Sequence, residues 1–387
     1  MTEKLRVIQL IDEIADGGAE TQLKNYMLHL DKSKFDTIIL AKWVDEASAN
    51  AGMLLENNIP ISSAMIIKRN LWCKILNKLQ RIFIPDRIRE EYYLWYVKHH
   101  ILSFKPDVIH VHLKMLHYLV PIADKLHGVK IFYRCASKPE RYFNYENTLD
   151  ASNMAAAQYL LKNNSLQMIA LHSQMRVALN GLFEISNTKI IHNVFDLDKF
   201  IKKPSKTICE IRAQLGIPEN AFVIGHVGRC FYIKNQSFLV DVFHYVYEAN
   251  HNAYLLMIGG GDFQEIEEKI RAYGLGDRYK ILTARNDVNE LLHAMDVFVF
   301  PSLLEGMPGA LIEAQAAGLK CIASSAITNE AIVSDKAIQM DLESGAEAWA
   351  KKIVNDEFNG VPQTDLMSFE VSNVMKEVEQ LYLTSNV

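Results

Sequence analysis

Short apolar runs rich in β-branched residues alternate twice over with helical patterns along the 387 residues, and this alternation constrains the fold more than any other feature. In the first series the runs fall at 7–11, 37–41, 108–111, 129–133, 168–171 and 190–191; in the second they fall at 223–227, 254–258, 280–282, 297–300 and 321–323. Strands separated by helices read as a parallel sheet covered on both faces. The stretch 192–205, with Asn193, Pro204 and several lysines, reads as a hinge between the two series. Two doubly wound α/β domains that face each other are therefore expected, at 1–195 and 196–368, with the closing helix within 369–387 able to pack back on the first. A ligand of such a pair belongs in the cleft where the carboxyl ends of the strands meet.

Composition narrows the classes. The five cysteines, Cys73, Cys135, Cys209, Cys230 and Cys321, form no CxxC pair, which reads as reduced thiols in a cytosolic protein without a metal site. Charges at Glu3, Lys4, Arg6, Asp12 and Glu13 argue against a signal peptide. No apolar run approaches the roughly 18 to 20 residues of a spanning helix. Charge is divided: residues 1–195 carry 24 Lys+Arg against 19 Asp+Glu, net +5, and residues 196–387 carry 17 against 27, net −10. Much of the basic excess lies in 68–100, where Lys68, Arg69, Lys74, Lys78, Arg81, Arg87, Arg89 and Lys98 interleave with Trp72, Phe83, Tyr92, Tyr93 and Trp95. That pattern suits either a helix resting on anionic lipid or an ordinary helix with a solvated basic face. Pro85 should split it. No nucleic-acid motif accompanies the charge, so a nucleic-acid partner is not expected.

Glycines, acids and cations cluster at the ends of the expected strands. Gly17 and Gly18, in the sequence DGGAE after the first run, bring backbone close to a phosphate or sugar, or make a tight turn. After 223–227 the chain reads Gly228-Arg229-Cys230-Phe231-Tyr232-Ile233-Lys234-Asn235, with two cations five residues apart, placed to meet two phosphates. The next strand ends in Gly259-Gly260-Gly261-Asp262, a close-approach loop without the G-x-G-x-x-G of a dinucleotide fold. In 301–325 Glu305 stands in a turn, Pro308 opens a helix, Glu313 follows eight positions after the first acid, and Gly318 stops the helix. Gly306 and Gly309 flank a helix N-terminus whose free donors attract an anion.

Together these pieces resemble the retaining glycosyltransferases of family 4, whose architecture is GT-B, two facing Rossmann-like domains. The resemblance rests on GGAE, the His-x-His at 110 and 112, the GR…K loop, IGGGDF and the acid pair of EGMPGALIEAQAAG, and is closest to bacterial enzymes of capsule and exopolysaccharide assembly. It implies transfer of a sugar from a nucleoside diphosphate, most often UDP, to a hydroxyl of a lipid-linked saccharide acceptor, with anomeric configuration kept through a same-face internal return. No further cofactor and no metal are implied. The residue roles it implies are these: Arg229 and Lys234 hold the diphosphate as it leaves, Glu313 takes the ribose hydroxyls, Glu305 stands near the transferred sugar and His112 contacts that sugar. The backbone of Gly228, Gly260, Gly306, Met307, Pro308 and Gly309 lines the donor pocket. Gly17 and Gly18 sit against the diphosphate or the acceptor, and Arg285 and Asn286 lie near the base. His110 alternates with His112 and is expected to pack inside. One departure is Asn193-Val194-Phe195, where many relatives carry Asn-Gly-Val. The expected place of work is the cytoplasm, either free in it or at the inner face of the cytoplasmic membrane. Competing readings are a sugar-nucleotide epimerase or phosphorylase on the same scaffold and a silent sugar-nucleotide binder that partners a true transferase.

Overall fold

The computed structural model describes residues 3–67, 85–144, 148–283 and 285–384. The chain divides into two compact units, Met1–Val194 with Val371–Val387, and Phe195–Glu370. Among the described residues the first unit holds a seven-stranded sheet and the second a six-stranded one, and every pairing in both is parallel.

In the first unit the strands are β1 (Leu5–Ile14), β2 (Phe35–Asp45), β3 (Ile61–Ile67), β4 (Val108–His112), β5 (Lys130–Arg134), β6 (Ser165–Ala170) and β7 (Lys189–Ile190), in the order β3-β2-β1-β4-β5-β6-β7. The order reverses between β1 and β4. β4 is buried along its whole length, which is why VIHVH reads as a continuous run and not as an alternation. One core packs Ile11, Leu23, Met27, Ile39 and Leu54; a second packs Val7, Tyr26, Val108 and Phe132 against Val374, Val378 and Tyr382 of the closing helix Val371–Leu383. That helix is held to the unit by polar contacts as well. Lys130 Nζ donates to the carbonyls of Tyr382 (2.7 Å) and Thr384 (2.6 Å), and Lys34 pairs with Glu379 at 3.0 Å. A lysine there satisfies last-turn carbonyls that have no intrahelical donor.

The strands of the second unit are β8 (Phe222–Val227), β9 (Ala253–Ile258), β10 (Tyr279–Leu282), β11 (Val297–Phe300), β12 (Lys320–Ser324) and β13 (Ala337–Met340), ordered β10-β9-β8-β11-β12-β13. Here the order reverses between β8 and β11. Two strands lie outside the runs expected from the sequence, β3 and β13. Both are edge strands and neither offers a clean apolar run, since Ser62 and Ser63 interrupt the first and Gln339 the second.

The expected hinge is well fastened at its start. Within the first unit the Val194 amide donates to Gln22 Oε1 at 2.6 Å, and its carbonyl accepts from Asn25 Nδ2 at 2.8 Å. Within the second, Phe195 N donates to the Phe369 carbonyl at 3.0 Å and Leu197 N to Glu370 Oε2 at 3.0 Å, so the segments that enter and leave the unit pair with each other. The helix Asp86–Phe104 begins directly after Pro85 and buries Tyr93, Val97 and Ile101. The rest of the segment called basic and aromatic, 68–84, lies outside the described residues.

Candidate functional site

In an open parallel sheet a crevice forms where strand order reverses, because the two loops leaving the adjacent strands turn to opposite faces. In the second unit those loops follow β8 and β11. The first runs through Gly228 and Arg229 to a short 3-10 turn, Tyr232–Lys234; the second carries Glu305 into the helix Gly309–Ala316, with Pro308 at its N-cap. The two loops are tied by Leu303 N, which donates to the Ile233 carbonyl at 2.8 Å. Lys234 Nζ meets Glu305 Oε1 at 2.6 Å, with side-chain exposures of 24% and 15%. The same ammonium lies 5.0 Å from the centre of the Phe300 ring. The two groups given different tasks in the sequence reading thus form one half-buried ion pair.

The glycines explain how the loops come so close. A Cβ on Gly259 would lie 2.0 Å from the Gly228 carbonyl oxygen, and one on Gly261 would lie 2.7 Å from that of Cys230. Cys230 N donates to the Gly260 carbonyl at 2.7 Å, so the loops after β8 and β9 run side by side. Gly260 has open space where its Cβ would be. A Cβ on Gly228 would touch the Lys234 stem at 3.5 Å. The helix Gly309–Ala316 stops at Gly318 with φ +82, a left-handed end that favours glycine. Gly306, Met307 and Pro308 are buried and Glu313 is half-buried on that helix, while Arg229 is exposed. Arg285 and Asn286 are exposed, and Arg285 is engaged by its own loop, donating to Asp287 at 2.7 Å and 2.5 Å. That pair holds the Asp287 carboxyl below the usual carboxylate range.

In the first unit the reversal lies between β1 and β4, which places Gly17 and Gly18 after one strand and His112 at the end of the other. Gly17 caps the helix Gly18–His29, and a Cβ on it would lie 2.2 Å from Glu20 Oε2, whereas Gly18 has open space around it. The first glycine of GGAE makes room for its own glutamate. His112 is 1% exposed. Its Nε2 lies 2.9 Å from Gln9 Oε1, and its Nδ1 has no hydrogen-bond partner. His110 does not alternate with it. The two rings stack 4.6 Å apart at 19°, because residues two apart on a strand share a face, and both are buried. Burial, with the Arg134 guanidinium nearby, pushes His110 down to about 3 and His112 well below the usual imidazole value, so both stay neutral at physiological pH.

Four buried polar residues that the sequence reading passed over complete these sites. His226 Nδ1 donates to the Val299 carbonyl at 2.9 Å, which leaves Nε2 as an acceptor facing Gln236 Nε2 at 3.4 Å. Gln236 also donates to the Arg229 carbonyl at 3.0 Å, so β11 is linked through two side chains to the cationic loop. Burial lowers His226 to about 4. The other two, Gln9 and Tyr382, lie beside the histidine pair. His226 sits two residues before Gly228 and so shares its face, a usable signal. A glutamine opening a helix and a tyrosine near the end of the chain offered none.

Among the described residues no group of three or more His, Cys, Asp or Glu side chains could hold a metal ion, and no helix is long and apolar enough to cross a membrane.

Residues 208–355 match the family model described as glycosyl transferases group 1. Over 383 residues the chain is 25% identical to the "Putative glycosyltransferase EpsF" of Bacillus subtilis, covering 97% of this chain and 94% of that protein. It is 30% identical over 241 residues to the UDP-Gal:alpha-D-GlcNAc-diphosphoundecaprenol alpha-1,3-galactosyltransferase of Escherichia coli, covering 60% of this chain and 61% of that one. Among solved structures, Anabaena Alr3699/HepE in complex with UDP superimposes with a TM-score of 0.73 at 19% identity, over 97% of this chain and 99% of that one. Two parallel Rossmann-like units are thus the α/β GT-B fold, and the matched span 208–355 holds Arg229, Lys234, Glu305 and Glu313.

Proposed function

We propose that the chain is a retaining family 4 glycosyltransferase that moves a sugar from a nucleoside diphosphate, a UDP-sugar, to a hydroxyl of a lipid-linked saccharide in the assembly of a surface polysaccharide such as capsule, exopolysaccharide or O-antigen. The observation that carries this reading is the meeting of Lys234 and Glu305 at the strand-order reversal of the second unit. Support for UDP comes from the complexes of HepE with UDP and with UDP-glucose, and support for the acceptor from the diphosphoundecaprenol in the name of the Escherichia coli relative.

As the sugar–phosphate bond breaks, negative charge gathers on the diphosphate, and preorganised cations lower the barrier by meeting it. Arg229 and Lys234 have that task. Glu313 takes the ribose hydroxyls and Glu305 the transferred sugar. The backbone of Gly228, Gly260 and Gly306 to Gly309 lines the donor site, with the helix N-terminus turned to anionic groups. Arg285 and Asn286 lie toward the base, which requires Arg285 to exchange Asp287 for the ligand. His112 contacts the sugar, and Gly17 and Gly18 the diphosphate or the acceptor. Cations and backbone fill the place of a metal, and no protein nucleophile is assigned.

A panel of nucleotide-sugars incubated with the protein and a membrane extract should release nucleoside diphosphate with one donor and give a product of unchanged anomeric configuration. Inversion would overturn the retaining assignment. No release with any donor would overturn catalysis.

The protein is further assigned to the inner face of the cytoplasmic membrane, through 68–100. On the helix Asp86–Phe104 the outer face exposes Ile88, Tyr92 and Trp95 (57% exposed), and Trp95 stacks between Tyr92 at 6.1 Å and His99 at 5.4 Å. This helix carries Arg87, Arg89 and Lys98 against Asp86, Glu90 and Glu91, so its own charge is balanced and the basic excess lies in 68–84. Flotation with anionic vesicles should show binding at low salt that weakens at high salt. Absence of binding at either salt ends the assignment.

A further inference from the structure

We infer that the transferred sugar carries a carboxylate, as a hexuronic acid does, and that Arg134 of the first unit is the residue that binds it. The inference rests on the reading of His112 as the sugar contact and deepens it by naming the substrate class. Arg134 closes β5, and its register partner on β4 is His112. Register partners on neighbouring strands share a face, so guanidinium and imidazole project side by side at the carboxyl edge of the sheet, where open α/β sheets hold their ligands.

The surroundings of this charge differ from those of the other buried arginine among the described residues. Arg212 pairs with Asp296 at 2.9 Å and donates to the carbonyls of Ala294, Glu219 and Ala221. Arg134 is 1% exposed, yet among the described residues no carboxylate forms an ion pair with it. Its Nη2 donates to Asn193 Oδ1, a neutral amide, its Nε has no hydrogen-bond partner, and its guanidinium carbon lies 5.8 Å from the centre of the Tyr26 ring. A buried cation without a counter-ion is a large cost to a fold, and such departures belong to functional sites, where a ligand supplies the missing charge.

The neighbours narrow what that ligand is. The Tyr26 hydroxyl, His110 Nε2 and His112 Nδ1 also have no protein partner, and the Tyr26 ring lies 5.7 Å from that of His110 and 6.4 Å from that of His112. Three neutral polar groups suit hydroxyls, and the one cation among them suits an anion. A uronic acid offers both. The phosphates of the donor already have Arg229 and Lys234 in the second unit, so the anion beside His112 is placed on the sugar. His112 is buried as deeply as Arg134, and a sugar that reaches the one meets the other.

The test is calorimetric titration of the full chain with UDP, UDP-glucuronic acid, UDP-galacturonic acid, UDP-glucose and UDP-galactose, in wild type, Arg134→Met and Arg134→Lys. Wild type should bind one uronic donor at least ~10-fold more tightly than either neutral sugar, the scale of one hydrogen bond to a charged group. Arg134→Met should weaken that donor about tenfold or more and leave UDP within about threefold, and Arg134→Lys, which keeps the charge, should restore part of the loss. An arginine that only fastens Asn193 would change UDP and both classes of sugar alike, and that result overturns the inference. So does a wild type that prefers a neutral sugar, a comparison that needs no variant and stands even where Arg134→Met does not fold. Binding of UDP or of neutral donors without a uronic donor leaves the functional reading in place and removes the carboxylate. A wild type that binds neither UDP nor any of the four donors fails the functional reading, and the inference falls with it.

Discussion

Lys234→Ala is expected to lower turnover by at least ~100-fold at saturating donor, the scale of losing one preorganised group that meets charge developing in a transition state. The ammonium is held for that purpose from three sides: its stem lies along Gly228, its charge sits over Phe300 at 5.0 Å, and its tip is drawn to Glu305 at 2.6 Å. None of these contacts organises the core, so the melting temperature should move little while kcat collapses. A partly exposed ion pair contributes only about 0–1 kcal/mol to stability. Near-normal turnover of a folded Lys234→Ala protein would remove the leaving-group role and leave the lysine as a partner of Glu305 alone.

The parts of the molecule that repeat were legible in its sequence, and the parts built by side chains meeting across it were not. Central strands of a doubly wound sheet are covered on both faces and write themselves as apolar runs, which is why β1, β4, β8 and β11 were found from periodicity. Where polar residues interrupt a strand that signature is lost, so β3, broken by Ser62 and Ser63, and β13, broken by Gln339, were missed, while the edge strands β7 and β10 kept a short apolar run. Gly259 and Gly261 could be read as close-approach glycines, but their neighbours, Gly228 and Cys230, emerge only once two strands lie side by side. Loop cations and acids were visible as residue types in strand-to-helix turns. Their pairing was not: Lys234 and Glu305 are 71 positions apart, and Gln9 and Tyr382 are 373 apart. The buried histidines show the same limit. That His110 and His112 share a face follows from strand geometry alone, yet only the fold shows that a tyrosine from the last helix reaches one of them and a glutamine from the first strand the other.

Glu305→Gln should separate two effects that a simple loss of function would merge. The carboxylate pairs with Lys234 at 2.6 Å, so a diphosphate that meets the ammonium must displace it or share the cation with it. Replacing the carboxylate by the neutral amide keeps the side chain's size, frees Lys234 and removes a negative charge from beside an incoming dianion. Two unit charges about 6 Å apart interact by roughly 3 kcal/mol at an effective dielectric of 20, and salt and water reduce that at a site that is partly exposed. UDP is therefore expected to bind Glu305→Gln about tenfold more tightly than wild type, or about 1.4 kcal/mol, as read by calorimetry. Turnover should fall in the opposite sense, by ~100-fold, because the positive character that develops on the sugar as its bond to phosphate breaks loses the carboxylate next to it. Tighter product and slower chemistry in one variant would mark Glu305 as a group that opposes the ground-state nucleotide and favours the transition state. Weaker UDP binding would instead make the carboxylate part of what holds the nucleotide, and unchanged turnover would take it away from the sugar.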